Sequence, residues 1–204
     1  LIPIENDPNL PRVLLIGDSI SIGYAIAVRE LLAGKANINH IPTTGEDTTK
    51  GLKYINDWLG DDNWDVIHFN WGLNDLCYKN PKSKDKSHRD KIYGKLDLTS
   101  QQYQGNLFQL VATLKTTNAK LIWATITPIP EGEPGRFKGS EVKYNTFAET
   151  VMKENNITVN DLHSYIMPKL DKFQSYGNVH FNKDGYNYLA RKVAEEILKA
   201  IEKK

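Results

Sequence analysis

Short apolar runs without strict alternation recur along the chain, separated by longer stretches with helical spacing of apolar positions. The runs predict strands at Arg12–Gly17, Asn37–Ile41, Asp65–Trp71, Lys120–Ile126 and Thr158–Val159. The longer stretches predict helices at Ile20–Ala33, Thr48–Leu59, Thr99–Thr116, Ser140–Asn155 and Lys183–Lys203, with a short one near Leu162–Leu170. Val66-Ile67-His68-Phe69 and Leu121-Ile122-Trp123-Ala124 have the look of strands covered on both faces, as in a parallel sheet. Strands alternating with helices imply βαβ units in a doubly wound α/β layer. Ligands of such sheets sit beyond the carboxyl ends of the strands. Ser19, Gly45, Asn74 and Thr127 all follow predicted strands, so they are expected on one rim.

Length and composition change this picture little. The chain suits a single domain spanning 1–204, with no internal repeat and no boundary. A net charge of +1 gives no global argument for nucleic acid. No apolar run approaches the roughly 20 residues of a membrane span. The lone Cys77 rules out an internal disulfide and leaves too few thiols for a cysteine-based zinc site. The chain opens at Leu1 without Met, which leads us to expect a secreted or periplasmic protein with its leader removed; a cytoplasmic site stays open. One segment departs from the rest. Residues 77–98 form a lysine-rich insertion after the third strand, with Lys79, Lys82, Lys84, Lys86, Arg89, Lys91 and Lys95 against Asp85, Asp90 and Asp97. It reads first as a solvated loop, and second as an electropositive wall for an anionic substrate.

The candidate chemistry centres on Gly17-Asp18-Ser19, where a buried strand meets a helix start. Ser19 is placed either to cap the helix or to act as a nucleophile next to free helix N–H groups. A serine nucleophile needs a base. Of His40, His68, His88, His163 and His180, the last lies just before the final helix and is best placed to reach a rim serine. Asn182 reads as that helix's N-cap, and His68 reads as a core residue. Acyl transfer also needs donors for an oxyanion. Gly45 and Asn74, at the ends of the second and third strands, can supply a backbone N–H and a side-chain amide. Trp71 could stack on a sugar ring or simply pack in the core, and Arg136 could bind a carboxylate or sulfate. Two Ser-x-x-Lys matches, at Ser83 and Ser140, lack the companion motifs of β-lactamases. No Gly-x-Gly-x-x-G or phosphate-binding loop occurs.

The order Gly17-Asp18-Ser19-Ile20, Gly45, Gly72-x-Asn74-Asp75 and Val179-His180-Phe181 resembles the SGNH (GDSL-type) hydrolases over nearly the whole chain. The resemblance implies a flavodoxin-like three-layer α/β/α sandwich with a mostly parallel five-stranded sheet. It implies Ser19 as nucleophile and His180 as base. Ser19 N–H, Gly45 N–H and Asn74 would form the oxyanion hole, with no metal or cofactor. The sequence departs from the family where an aspartate should stand three residues before the histidine: that position is Gly177. We expect a Ser–His centre with Asn178, or a backbone carbonyl, orienting the imidazole. Asp161, Asp171 and Asp184 stay open as substitutes. The reading is a serine esterase removing small acyl groups, foremost acetyl, from a carbohydrate that could be anionic. A lysophospholipase or thioesterase on the same fold, and a weakly active carbohydrate-binding relative, are the alternatives. The hydrophilic insertion, in place of an apolar lid, argues against a lipid chain.

Overall fold

The computed structural model describes residues 2–85 and 88–202, so Lys86 of the predicted basic loop and Lys203 of the predicted last helix lie outside the described residues. The elements run β1 Arg12–Ile16, α1 Ser19–Leu31, β2 Asn37–His40, α2 Thr48–Leu59, β3 Val66–Phe69, β4 Tyr78–Lys79, β5 Lys95–Leu96 and α3 Ser100–Lys115. They continue with β6 Lys120–Ala124, α4 Ser140–Glu154, β7 Thr158–Asn160, α5 Leu162–Ile166, α6 Leu170–Phe173 and α7 Lys183–Glu202. A 3₁₀ turn at Met167–Lys169 joins α5 to α6. Strands β2-β1-β3-β6-β7 pair in that order into a five-stranded sheet, parallel throughout. Helices α1 and α7 pack together, and α2, α3 and α4 pack in a row, so helices flank the sheet as the expected α/β/α sandwich.

Burial explains why the strands lack alternation. Val13 to Ile16 and Val66 to Phe69 are buried at every position, because helices cover both faces. The strand order reverses around β1 and β3: β2 lies on one side of β1, and β3, β6 and β7 follow on the other. The crevice at such a switch point is where α/β sheets bind ligands. Both β1 and β3 stop shorter than predicted. Past the end of β3, Asn70 N–H still donates to the Ile16 carbonyl at 3.0 Å, and Asn70 Nδ2 donates to the Ala124 carbonyl at 2.6 Å.

The chain then turns through Gly72, whose φ of 138° is open only to glycine. A Cβ there would lie 2.2 Å from Ile126 Cδ1. Gly72→Ala should therefore cost roughly 1–3 kcal/mol, through backbone strain and overpacking together. Denaturant unfolding of the variant measures it, and a loss under 0.5 kcal/mol would mean that this turn relaxes freely.

The basic insertion differs from a plain solvated loop. Tyr78–Lys79 and Lys95–Leu96 form a two-stranded antiparallel ribbon. Tyr78 N–H donates to the Gly135 carbonyl at 2.7 Å and Lys91 N–H to the Pro134 carbonyl at 2.8 Å. Lys79 pairs with Asp97. Strands of two residues carry no periodicity, and the anchors lie in a distant loop, so neither was visible in the local pattern.

Candidate functional site

Ser19 occupies the first position of α1 and is exposed at the sheet rim. Asp18 before it is fully buried and acts as the N-cap, accepting from Ile20 N–H at 2.9 Å. Burial pushes the Asp18 carboxyl up to about 6, against the pull of the Ile20 N–H and of Arg136. Asp18, not Ser19, therefore caps the helix, and the Ser19 hydroxyl is not needed for capping. At this first helical position the Ser19 N–H has no carbonyl one turn back to receive it.

His180 reaches this hydroxyl from the loop before α7. Its Nε2 lies 2.9 Å from Ser19 Oγ. Its Nδ1 lies 2.8 Å from Asn178 Oδ1, which also accepts the His180 backbone N–H at 3.0 Å. That second bond settles the amide orientation, since a backbone N–H must face an oxygen. Asn178 Oδ1 can only accept, so Nδ1 carries the ring proton and Nε2 presents its lone pair to Ser19. The loop is held from both ends. Gly177 N–H donates to the Glu131 carbonyl at 2.8 Å, and Asn182 caps α7 through Gly185 N–H at 2.9 Å. Partial burial lowers the His180 pKa, and the charges of Arg89 and Arg136 lower it further. A neutral imidazole is the form that can accept a proton. Asp161, one of the open substitutes for the missing aspartate, is instead the N-cap of α5, bonded to Ser164 N–H and the Thr125 hydroxyl.

The Asn178 contact has a testable consequence. Asn178→Ala removes one neutral hydrogen bond and should slow ester hydrolysis by about tenfold. Asn178→Asp places a charge on Nδ1–H and should move the acidic limb of the kcat/KM profile upward by about 1–3 pH units. In the parent enzyme the limb should fall below the ordinary histidine value of 6.5, because His180 is shifted down. A pH profile of the two variants checks both directions.

Asn74 follows Gly72 at the rim and is partly exposed. Asp75 beside it is buried and accepts the Thr48 hydroxyl at 2.5 Å and the Thr48 N–H at 3.0 Å, which ties the Asn74 turn to α2. Burial raises Asp75 to about 7.

Three expectations need correction. The Gly45 N–H is not a free oxyanion donor, because it donates to the Gly17 carbonyl at 2.7 Å. The contact holds the β2–α2 loop against the chain just past β1, and glycine is needed there since a Cβ would lie 2.9 Å from that same oxygen. Trp71 does not line a sugar subsite. Its ring is fully buried and its Nε1 donates to the Gly45 carbonyl at 3.2 Å, so it braces the rim from beneath. Arg136 is not a surface anion receptor either. It is 4% exposed, its Nε donates to the Leu73 carbonyl at 2.5 Å, and its Nη1 lies 2.8 Å from buried Glu133. Arg136 thereby fastens the turn that carries Asn74. Glu133 went unnoticed in the sequence, although its spacing of three from Arg136 was the available signal.

Among the described residues, no three His, Cys, Asp or Glu side chains gather as metal ligands, and no helix is long and apolar enough to cross a membrane.

Solved structures share this fold. An acetyl xylan esterase, AlAXEase, superposes with a TM-score of 0.71 at 17% identity, covering 91% of this chain and 99% of that one. A lipase/acylhydrolase from Enterococcus faecalis gives 0.72 at 22% identity, covering 92% and 95%. An acetyl xylan esterase from Geobacillus stearothermophilus, in a variant form, gives 0.71 at 18% identity, covering 92% and 94%. No curated protein matches the chain in sequence. Residues 15–188 match the sequence profile of the GDSL-like lipase/acylhydrolase family, a span that takes in Ser19, Asn74 and His180, and the chain belongs to that family of serine ester hydrolases.

Proposed function

We propose that this hydrolase removes small acyl groups, foremost acetyl, from a carbohydrate, using Ser19 as nucleophile and His180 as general base. The observation that carries the reading is the continuous Ser19–His180–Asn178 hydrogen-bond chain, at 2.9 and 2.8 Å, on an exposed rim. Ser19 Oγ attacks the ester carbonyl as its proton passes to His180 Nε2. The oxyanion is received by Ser19 N–H and the Asn74 amide. His180 then protonates the departing sugar hydroxyl and activates water to release acetate from Ser19. Asn178 holds the ring tautomer without adding charge. The exposure of Ser19 and Asn178 suits a bulky polar alcohol better than a sequestered acyl chain. A cavity of about 440 Å³ with mixed polar and apolar lining lies elsewhere, among Lys120, Ile122, Ile157, Glu196 and Ala200. Acetyl xylan esterases among the solved structures of this fold support the same substrate class.

The test is acetate release from a panel of acetylated polysaccharides, with labelling by a fluorophosphonate probe and Ser19→Ala as control. Labelling and acetate release should both disappear in Ser19→Ala, with turnover down by about 10⁴-fold or more. Preference for esters of eight carbons or longer would instead favour a lysophospholipase or thioesterase. Sugar binding without labelling would favour a carbohydrate-binding role.

A further inference from the structure

We propose that Arg89, on the basic insertion, is a specificity-determining residue that binds a carboxylate on the sugar, so that the substrate class is an O-acetylated uronic acid. The inference rests on the esterase reading above and adds a charge requirement to it. Glu133 is fully buried, yet two guanidinium groups share its one oxygen: Arg136 Nη1 at 2.8 Å and Arg89 Nη1 at 2.9 Å lie against Oε1. The other oxygen, Oε2, accepts Gly135 N–H at 2.7 Å. The carboxylate's capacity is therefore largely spent. Arg136 is compensated on its buried side, by Glu133 and by the field of Asp18. Among the described residues Arg89 has no carboxylate other than the Glu133 it shares with Arg136. Its side chain is 43% exposed, and its Nε and Nη2 have no protein partner among the described residues.

The position is built rather than incidental. Arg89 pairs in a β-bridge with Lys79, Asp90 N–H donates to the Tyr78 carbonyl at 3.0 Å, and Lys91 N–H to the Pro134 carbonyl at 2.8 Å. Gly135 permits this approach, since a Cβ there would lie 2.7 Å from Arg89 Cβ. The cluster joins the catalytic rim through Arg136, which bonds the Leu73 carbonyl immediately before Asn74. Both guanidinium charges lower the His180 pKa, which agrees with that proximity. The neighbouring acid Glu131 pairs with Lys138 at 3.2 Å, and Asp90 is tied to Asn80 and to two backbone N–H groups, so neither neutralises Arg89. A half-exposed guanidinium fork with free, parallel N–H groups fits a planar carboxylate in two-point contact.

The experiment compares kcat/KM for an O-acetylated glucuronic acid with that for its methyl ester, with 4-nitrophenyl acetate as a neutral reporter. The free acid should be preferred by about tenfold or more, and the preference should shrink as salt rises. Arg89→Gln should bring the acid-to-methyl-ester ratio close to one, and Arg89→Lys should restore part of it. A ratio near one in the parent enzyme, or a ratio unchanged in Arg89→Gln, overturns the proposal. Cleavage of 4-nitrophenyl acetate, dependent on Ser19, with neither sugar ester cleaved also overturns it while the esterase reading stands. Absence of cleavage of all three overturns both.

Discussion

His180→Ala is expected to lower kcat/KM for an acetyl ester by about 10⁴-fold or more, while leaving the folded protein close to its parent stability. The size follows from the arrangement. The ring is the sole base within 2.9 Å of Ser19 Oγ among the described residues. Asn178 beyond it carries no charge, so removing the imidazole leaves nothing that can take the serine proton. The small effect on stability follows from location. His180 is only partly buried, and its ring bonds the solvent-exposed Ser19 and Asn178. The loop itself is held by neighbours: buried Val179 and Phe181, and Gln174 Nε2 donating to the Val179 carbonyl at 3.0 Å. Initial rates on 4-nitrophenyl acetate and a thermal melt separate the two effects. Activity within tenfold of the parent would remove His180 from the mechanism. Exogenous imidazole should restore part of the rate in His180→Ala, which a collapsed loop would not allow.

What could be read along the chain, and what could not, divides on physical grounds. Ser19 and Asn74 each follow a covered apolar run and Gly45 follows the shorter, half-covered β2, and a parallel sheet brings all such positions to one rim whatever the loop details. The Asn178 contact was within reach for the same local reason, since a side chain two residues back can return to its neighbour's ring and N–H. The errors arose where direction depends on tertiary contact. Trp71 sits two residues past β3, outside the ladder, so strand alternation no longer assigns its face, and the ring turns under Gly45. The Gly45 N–H is claimed by Gly17, a residue 28 positions earlier, through a loop contact past the ends of both strands. Arg136 became a brace because a turn of one loop buried Glu133 beside it, and because the insertion folded back to lay Arg89 on the same carboxylate. Each of these is a contact between loops, and loops carry no periodicity from which a partner could be inferred.

Glu133→Ala is expected to be the most destabilising single change near the site. A buried ion pair contributes little relative to a well-packed apolar replacement, but breaking one partner strands the other, at a cost of about 3–5 kcal/mol. Here the stranded group is Arg136, which is 4% exposed and keeps only the Leu73 carbonyl as a close partner. For a chain of this size each kcal/mol corresponds to about 2–4 °C, so Tm should fall by roughly 6–20 °C. The damage should not stop at stability. Arg136 holds the carbonyl adjacent to Asn74, and a displaced guanidinium loosens the amide proposed to receive the oxyanion, so kcat should fall with little change in KM. Glu133→Gln keeps one acceptor and the shape of the site, and should lie between the parent and the alanine variant in both respects. Pairing Glu133→Ala with Arg136→Met removes the stranded charge and should recover part of the lost Tm without recovering kcat, because the tether to Leu73 is gone. A double variant that is no more stable than Glu133→Ala alone would place the cost in packing around the 131–136 loop, and would separate that loop's structural role from its electrostatic one.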